Sequence, residues 1–170
     1  MGTANILCQH GQYDGIVYIV SACQEQTQGY LPGSITEKSE VYFEPAYQAM
    51  IECNMNINSC VNSDSLVNQK YGDGYVTLLT HTFLRGTNLK KKVIILDEAQ
   101  NYTVADLKKT LTRCSDDCKV IVVGHDKQCD LKDKNTTGFM KYIDHFRGHE
   151  NCEICELTTN HRGWLSQFAD

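Results

Sequence analysis

Two adjacent carboxylates, Asp97 and Glu98, directly follow the aliphatic residues 93–96. A run of this kind that stops at polar residues is typical of a buried strand in a parallel sheet, and ligands of such sheets bind at the carboxyl ends of the strands. There Asp97 would hold Mg²⁺, and Glu98 would deprotonate a water that attacks a phosphate. The pattern has the form of a Walker B motif. The alternative is a strand that ends in a solvated acidic turn.

The surrounding sequence carries further motifs in a consistent order. Residues 97–101 read Asp-Glu-Ala-Gln-Asn, and a second aliphatic run follows at residues 120–123, directly before Gly124. Shorter motifs lie on both sides: Gly29-Tyr-Leu-Pro-Gly33, Glu37-Lys38, Tyr42-x-x-Pro45-x-Tyr47, Phe83-Leu-Arg-Gly86 and Gln128-x-Asp130-Leu131. Together these motifs resemble the PhoH family of P-loop ATPases, whose members are similar to the motor core of superfamily-one helicases. The resemblance extends from about residue 16 to residue 168.

The resemblance implies an α/β fold of the RecA-like P-loop NTPase type, with a mostly parallel, doubly wound sheet. It implies one PhoH-like domain over residues 1–170, with ATP and Mg²⁺ as cofactors. The alternation of strand-like and helix-like segments independently favours a parallel sheet. The predicted strands are residues 15–20, 75–79, 93–96, 119–123 and 153–157, and the predicted helices are residues 44–53, residues 138–146 and a helix that Thr103 caps.

The sequence lacks the glycine-rich loop G-x-x-x-x-G-K-[ST] that cradles phosphates in P-loop proteins. Residues 3–10 resemble the end of the helix that follows such a loop, so we expect the domain to be N-terminally truncated and to lack its first, Walker A strand. Two sheet edges would then stay unpaired and prone to pair with another chain. We therefore expect a homo-oligomer, or pairing with a missing N-terminal segment. Because the phosphate-binding loop is absent from the sequence, we also expect impaired hydrolysis by the chain alone.

The resemblance assigns roles to further residues. Gln128 lies where the helicase relatives have a glutamine near the terminal phosphate, although His125 replaces the aspartate of their Gly-Asp-x-x-Gln motif. Arg162 corresponds to an arginine that reaches the γ-phosphate, a role that suits a permanently charged, forked guanidinium. Gln100 would sense the same phosphate, and Arg85 would order its loop or contact nucleic acid. The alternatives are a polar loop for Gln128, a surface side chain for Arg162 and a helix start for Gln100.

Length and composition agree with a single domain. With 170 residues, 41% of them hydrophobic, the chain can bury one sizeable core. A net charge of −5 gives no field that would attract nucleic acid non-specifically, and the basic residues 90–92 favour a solvated rim. No signal peptide or apolar stretch of about 18 residues occurs, which predicts a cytoplasmic protein without membrane contact.

Nine cysteines are many for a cytoplasmic protein, but their odd number and the enzyme-like fold predict reduced thiols. The residue types of His149, Cys152, Cys155 and His161 would suit a zinc site. If residues 153–157 form a strand, however, Cys152 and Cys155 point to opposite faces and do not share an ion easily. Zinc therefore stays a minor alternative.

The sequence thus predicts a PhoH-like ATP-binding domain, an ATPase coupled to RNA or another single-stranded nucleic acid. Asp97 would hold Mg²⁺, Glu98 would be the general base, and Gln128 and Arg162 would act at the γ-phosphate. The alternative from a different class is a non-catalytic interaction or assembly module that retains the fold.

Overall fold

The computed structural model describes residues 1–21, 41–62, 74–84, 86–159, 161 and 163–168. Arg85 and Arg162, two of the predicted site residues, lie outside this part of the chain, as does the motif that begins at Gly29. The remaining predicted site residues are all described: Asp97, Glu98, Gln100 and Gln128.

Four parallel strands form one continuous sheet in the described chain. They are β1 (Ile16–Val20), β2 (Val76–Thr80), β3 (Val93–Asp97) and β4 (Lys119–Val122). Their spatial order is β2-β1-β3-β4. The strand β2 therefore lies on one side of β1, whereas β3 and then β4 lie on its other side. The strand order therefore reverses between β1 and β3, and ligands of open α/β sheets bind at such a reversal.

Helices cover both faces of this sheet, which confirms the predicted doubly wound α/β arrangement. One face carries α1 (Gly2–Gln9), α2 (Glu44–Glu52) and α3 (Ile57–Cys60), and the other carries α4 (Val104–Leu111) and α5 (Phe139–Phe146). Apart from Asp97, the residues of β1 and β3 are at most 5% exposed, as expected for central strands covered on both sides.

A sixth helix, α6 (Trp164–Phe168), lies near the end of the described chain, and its first two residues are exposed. None of the helices in the described ranges is both long and apolar enough to cross a bilayer.

The helix α4 begins where the sequence predicts. Thr103 Oγ1 accepts a hydrogen bond from the Asp106 backbone N–H at 3.2 Å, and the Thr103 hydroxyl donates to Asp106 Oδ2 at 2.6 Å. Leu107 is 1% exposed and packs in the core, whereas Val104 is 37% exposed. The cap fixes where α4 starts, and the buried face fixes which side meets the sheet.

Two local predictions are wrong. Residues 54–64 are polar and rich in asparagine, which predicts an irregular segment, but they contain α3, whose first turn Asn56 caps by accepting from the Asn58 N–H at 3.1 Å. Residues 153–157 are predicted as a fifth strand, but they are exposed and have no regular structure, with Leu157 96% exposed. A strand needs a hydrogen-bonded partner, and no described strand lies beside this segment.

The outer edge of β4 is open in the described part of the chain. The N–H groups of Lys119 and Val123 donate to carbonyls on the β3 side at 3.0 and 2.8 Å, so these alternate residues face β3. The N–H and C=O groups of Val120 and Val122 consequently face away from β3. Open edges pair readily with other chains, and the expected self-association stays a prediction.

The cap of α4 should make stability depend on pH. Burial raises the pKa of Asp106, but the Thr103 hydrogen bond and the charges of His81 and Lys109 outweigh burial and hold the pKa below its ordinary 3.8. Such a carboxylate stabilises the fold above its unfolded pKa and loses that contribution as the pH falls through the folded pKa. Asp106→Asn should therefore be less stable at pH 7, by a difference that shrinks from about pH 5 to pH 2 in urea unfolding.

Two further variants separate the cap from other effects. Thr103→Ala should lower the free energy of unfolding by about 1 kcal/mol at pH 7 and weaken the same pH dependence. Thr112→Ala is the matched control, because its hydroxyl bonds Lys108 O at 2.8 Å near the other end of α4. A stability difference for Asp106→Asn that stays constant with pH would contradict this account of the cap.

Candidate functional site

The predicted site lies at the carboxyl ends of β1 and β3, where the strand order reverses. Val20 pairs with Asp97, so the chain leaves both strands at the same edge, through Ser21 and Glu98. The buried Ser21 hydroxyl donates to Asn101 O at 2.7 Å, which ties the two exits together. The acidic pair therefore occupies the position at which α/β sheets bind ligands.

Both carboxylate oxygens of Asp97 accept hydrogen bonds from the protein. Oδ1 accepts from the Glu98 backbone N–H at 3.0 Å, and Oδ2 accepts from the hydroxyl of Tyr18 in β1. Burial, followed by the hydrogen bond and charge of Asp97, raises the pKa of Tyr18 far above its ordinary value, so the hydroxyl stays a donor at neutral pH. Asp97 is half-buried, and its remaining lone pairs can bind a cation.

Glu98 adopts a left-handed backbone conformation, with φ 52° and ψ 44°. This conformation costs a non-glycine residue about 1–3 kcal/mol, and such residues cluster at functional sites. The left-handed turn at Glu98 ends β3. The Glu98 Oε2 accepts a hydrogen bond from Gln100 Nε2 at 2.5 Å. The carboxylate of Glu98 is therefore held by a neighbour while the residue stays exposed.

Gln100 connects the acidic pair to the loop after β4. It is 2% exposed, and its Oε1 accepts from the His125 N–H at 2.9 Å. Its Nε2 donates to Gln128 O at 3.1 Å as well as to Glu98. Both amide atoms are thus engaged within the protein, which makes Gln100 a support for Glu98. Its contact with a phosphate stays a prediction.

The loop after β4 approaches Gln100 closely because residue 124 is a glycine. A Cβ on Gly124 would lie 2.9 Å from Gln100 Oε1 and 3.0 Å from the Phe139 ring. Gln128 joins the site through its backbone carbonyl and is itself exposed. His125, which replaces the aspartate of the helicase motif, takes part through its backbone N–H. The replacement therefore leaves the backbone contact of this loop in place.

Two contacts were not predicted from the sequence: that of Tyr18 with Asp97, and that of Asn101 with Asp130. Asn101 Nδ2 donates to Asp130 Oδ2 at 3.0 Å, and Asn101 Oδ1 accepts from the Asp130 N–H at 2.8 Å. The signal for Tyr18 is a phenol within an aliphatic strand, because a buried tyrosine hydroxyl needs a partner. Asn101 and Asp130 belong to recognised motifs, but motif order does not say which residues pair.

Magnesium fits the donor set at Asp97. Mg²⁺ in proteins is usually bound through about one or two carboxylates, with waters and substrate phosphates completing the octahedron. Zinc needs a group of convergent ligands, and among the described residues no three His, Cys, Asp or Glu side chains form one. The zinc candidates are therefore not brought together: His149, Cys152, Cys155 and His161.

A separate groove of about 270 Å³ lies between residues 81–84 and α4. Its lining combines cationic, anionic, polar and apolar side chains: His81, Thr82, Leu84, Asp106, Lys109 and Arg113. The His81 ring packs on Tyr102 at a centroid distance of 5.3 Å, and burial lowers the pKa of His81 although the Asp106 carboxylate opposes that effect. The acidic pair is not part of this lining, so the groove is a second surface.

Known proteins resemble this chain over most of its length. A family model described as "PhoH-like protein" matches residues 2–162. Protein PhoH of Escherichia coli (strain K12) is 31% identical over 144 residues, which are 83% of this chain and 38% of that protein. A PhoH-like protein of Mycobacterium tuberculosis (strain ATCC 25618 / H37Rv) is 30% identical over 131 residues, 77% of this chain and 35% of the relative. The chain spans about a third of the length of these curated relatives.

The dual role of Gln100 predicts different effects for two substitutions. Gln100→Glu keeps an oxygen that accepts from the His125 N–H but loses the donor to Glu98 and Gln128 O, whereas Gln100→Met loses both. We expect hydrogen exchange at the His125 amide to be slow in the unmodified chain and in Gln100→Glu. It should be about five- to tenfold faster in Gln100→Met, because one hydrogen bond contributes about 1 kcal/mol.

NMR hydrogen exchange measures this amide directly. The amide of Val123, which donates to Leu96 O at 2.8 Å within the strand pairing, is the internal control and should exchange alike in all three proteins. Equal exchange at His125 in all three would show that Gln100 does not hold the loop.

Proposed function

Because the chain belongs to the PhoH-like family of P-loop ATPases, we propose that it binds ATP with Mg²⁺ at the ends of β1 and β3. The all-parallel sheet with helices on both faces is that of a RecA-like P-loop NTPase. The observation that carries the proposal is the convergence of Asp97, Glu98 and the carbonyl of Gln128 where the strand order reverses.

Asp97 and Glu98 divide the proposed chemistry between them. Asp97 would hold Mg²⁺ through the carboxylate that Tyr18 and the Glu98 N–H orient. When bound, the ion supplies charge neutralisation at the phosphates. Glu98, steered by Gln100, would accept the proton of the attacking water at a carboxylate oxygen.

Two side chains complete the proposed site. Gln128 would sense the terminal phosphate, and Arg162 would act as an arginine finger on the charge that develops there. Positioning and charge neutralisation make up nearly all phosphoryl-transfer catalysis, and this sequence contains no glycine-rich phosphate loop. We therefore propose slow hydrolysis by the chain alone.

The proposed partner is RNA or another single-stranded nucleic acid, coupled to nucleotide binding as in helicase-like relatives. Proteins bind such strands in cationic grooves that follow the phosphate backbone. The groove beside α4 supplies Lys109 and Arg113, and the Lys109 side chain is 62% exposed. Arg85, for which the family resemblance suggests a contact with nucleic acid, follows residue 84 in the sequence.

A non-catalytic assembly module is the second candidate. One observation favours it: the backbone groups of Val120 and Val122 face an open edge within the described residues. An edge of this kind can accept a strand from a partner. On this reading the acidic pair would be a remnant of the fold.

Titration of a fluorescent ATP analogue, with and without Mg²⁺, separates these two functions. The unmodified chain should bind the analogue more tightly with Mg²⁺ than without it. In Asp97→Asn the affinity with Mg²⁺ should fall by about tenfold or more, because the substitution removes the metal ligand. Glu98→Gln should still bind but should not hydrolyse. Asp116→Asn, an exposed carboxylate in the loop before β4, is the control. Binding that ignores Mg²⁺ in the unmodified chain would favour the assembly module.

Nucleic-acid coupling predicts an effect at the groove. Lys109→Gln should weaken binding of a labelled single-stranded RNA and reduce the slope of log affinity against log salt by about 1, because one phosphate contact is lost. Lys91→Gln is the control, since Lys91 pairs with Asp14 at 2.9 Å just before β3, at the amino end of the sheet. Equal losses in both variants, measured by fluorescence anisotropy, would argue against the groove as the RNA surface.

A further inference from the structure

Tyr18 stands apart from the other residues of its strand. It is the one residue with a polar side chain in β1, it is 4% exposed, and its ring lies in the core on the α1 and α2 side of the sheet. In the parallel register Tyr18 pairs with Ile95, and Val20 pairs with Asp97. Side chains two residues apart lie on the same face, so the hydroxyl of Tyr18 reaches the Asp97 carboxylate diagonally across the two strands.

The two hydrogen bonds on Asp97 differ in what anchors them. The Glu98 N–H on Oδ1 belongs to the turn that ends β3, and this turn has a left-handed backbone. The Tyr18 hydroxyl on Oδ2 is anchored by a ring packed inside the central strands. The rigid partner of the carboxylate is therefore Tyr18, which comes from the strand on the other side of the reversal.

We infer that Tyr18 is a positioning residue that fixes the Asp97 carboxylate in the orientation that binds the metal ion of a nucleotide. This inference rests on the proposed function and adds to it a residue outside the acidic motif. Carboxylates that ligate metals are in turn hydrogen-bonded, and loss of such a partner costs about 10- to 100-fold in metal affinity. A free carboxylate would instead spread over several rotamers and bind the ion less well.

The competing account is a purely structural tyrosine, whose hydroxyl takes Asp97 as a convenient partner. Removing the hydroxyl would then lower stability and leave metal binding unchanged. Tyr102 offers a matched comparison, because it is also buried and its hydroxyl donates to Ile19 O at 3.0 Å, a carbonyl that is not a metal ligand. Tyr18→Phe and Tyr102→Phe each remove one buried hydroxyl and keep the ring.

The first measurement uses the protein without nucleotide or metal. NMR couplings that report χ1 of Asp97, together with its carboxyl carbon signal, should show one rotamer in the unmodified chain and in Tyr102→Phe. They should show averaging over rotamers in Tyr18→Phe. A single unchanged rotamer in Tyr18→Phe would overturn the inference, whatever the chain does with nucleotides.

The second measurement is the affinity for the fluorescent ATP analogue with and without Mn²⁺ as the probe ion. Tyr18→Phe should lose about 10- to 100-fold of the metal-dependent affinity while metal-free binding is unchanged. Tyr102→Phe should keep the metal-dependent affinity, and thermal unfolding of both variants shows any loss of the fold. Equal metal-dependent affinity in Tyr18→Phe and the unmodified chain overturns the inference. Absence of metal-dependent binding in the unmodified chain would instead reject the proposed function. The two failures are distinguishable, because Tyr18→Phe tests the inference and the unmodified chain tests the proposed function.

Discussion

The pairing of β1 with β3 is the contact on which the site depends. The strand order reverses between them, so the connections that follow β1 and β3 lead to opposite sides of the sheet. Open α/β sheets bind their ligands at the shared carboxyl ends of two such strands. The register places Asp97 beside Val20 at these ends and brings the Tyr18 hydroxyl to the same carboxylate. A shift by one residue would turn Asp97 to the other face of the sheet.

Hydrogen bonds hold the carboxyl ends of the strands in one arrangement. Ser21 binds the Asn101 carbonyl, Asn101 pairs with Asp130, and Gln100 joins Glu98 to the loop after β4. These contacts connect the ends of three strands that are distant in sequence. Buried polar networks rigidify a site when their members are satisfied. Among the described residues, the one buried side-chain atom without a partner is Asn62 Oδ1, whose backbone N–H bonds Val76 O at the amino end of β2.

The sequence predicted the features that local patterns encode. Aliphatic runs predicted all four strands of the sheet, and Thr103 predicted the start of α4, because propensity and capping act over a few residues. The fifth strand failed because residues 153–157 need a neighbour to pair with, and local sequence cannot supply one. The contact of Tyr18 with Asp97 joins residues 79 positions apart and depends on the register of two strands, which periodicity does not encode. The left-handed conformation of Glu98 was equally hidden, because glutamate has no preference for it.

The proposed function requires that a metal ion and a triphosphate bind where β1 and β3 end. Paramagnetic broadening of the backbone NMR signals by Mn²⁺ with ATP locates the ion directly. Signals of Ser21, residues 97–101 and residues 124–128 should broaden first, while those of residues 113–117, before the opposite end of β4, should stay sharp. Broadening centred on residues 113–117, or broadening that is the same without ATP and in Asp97→Asn, would contradict it.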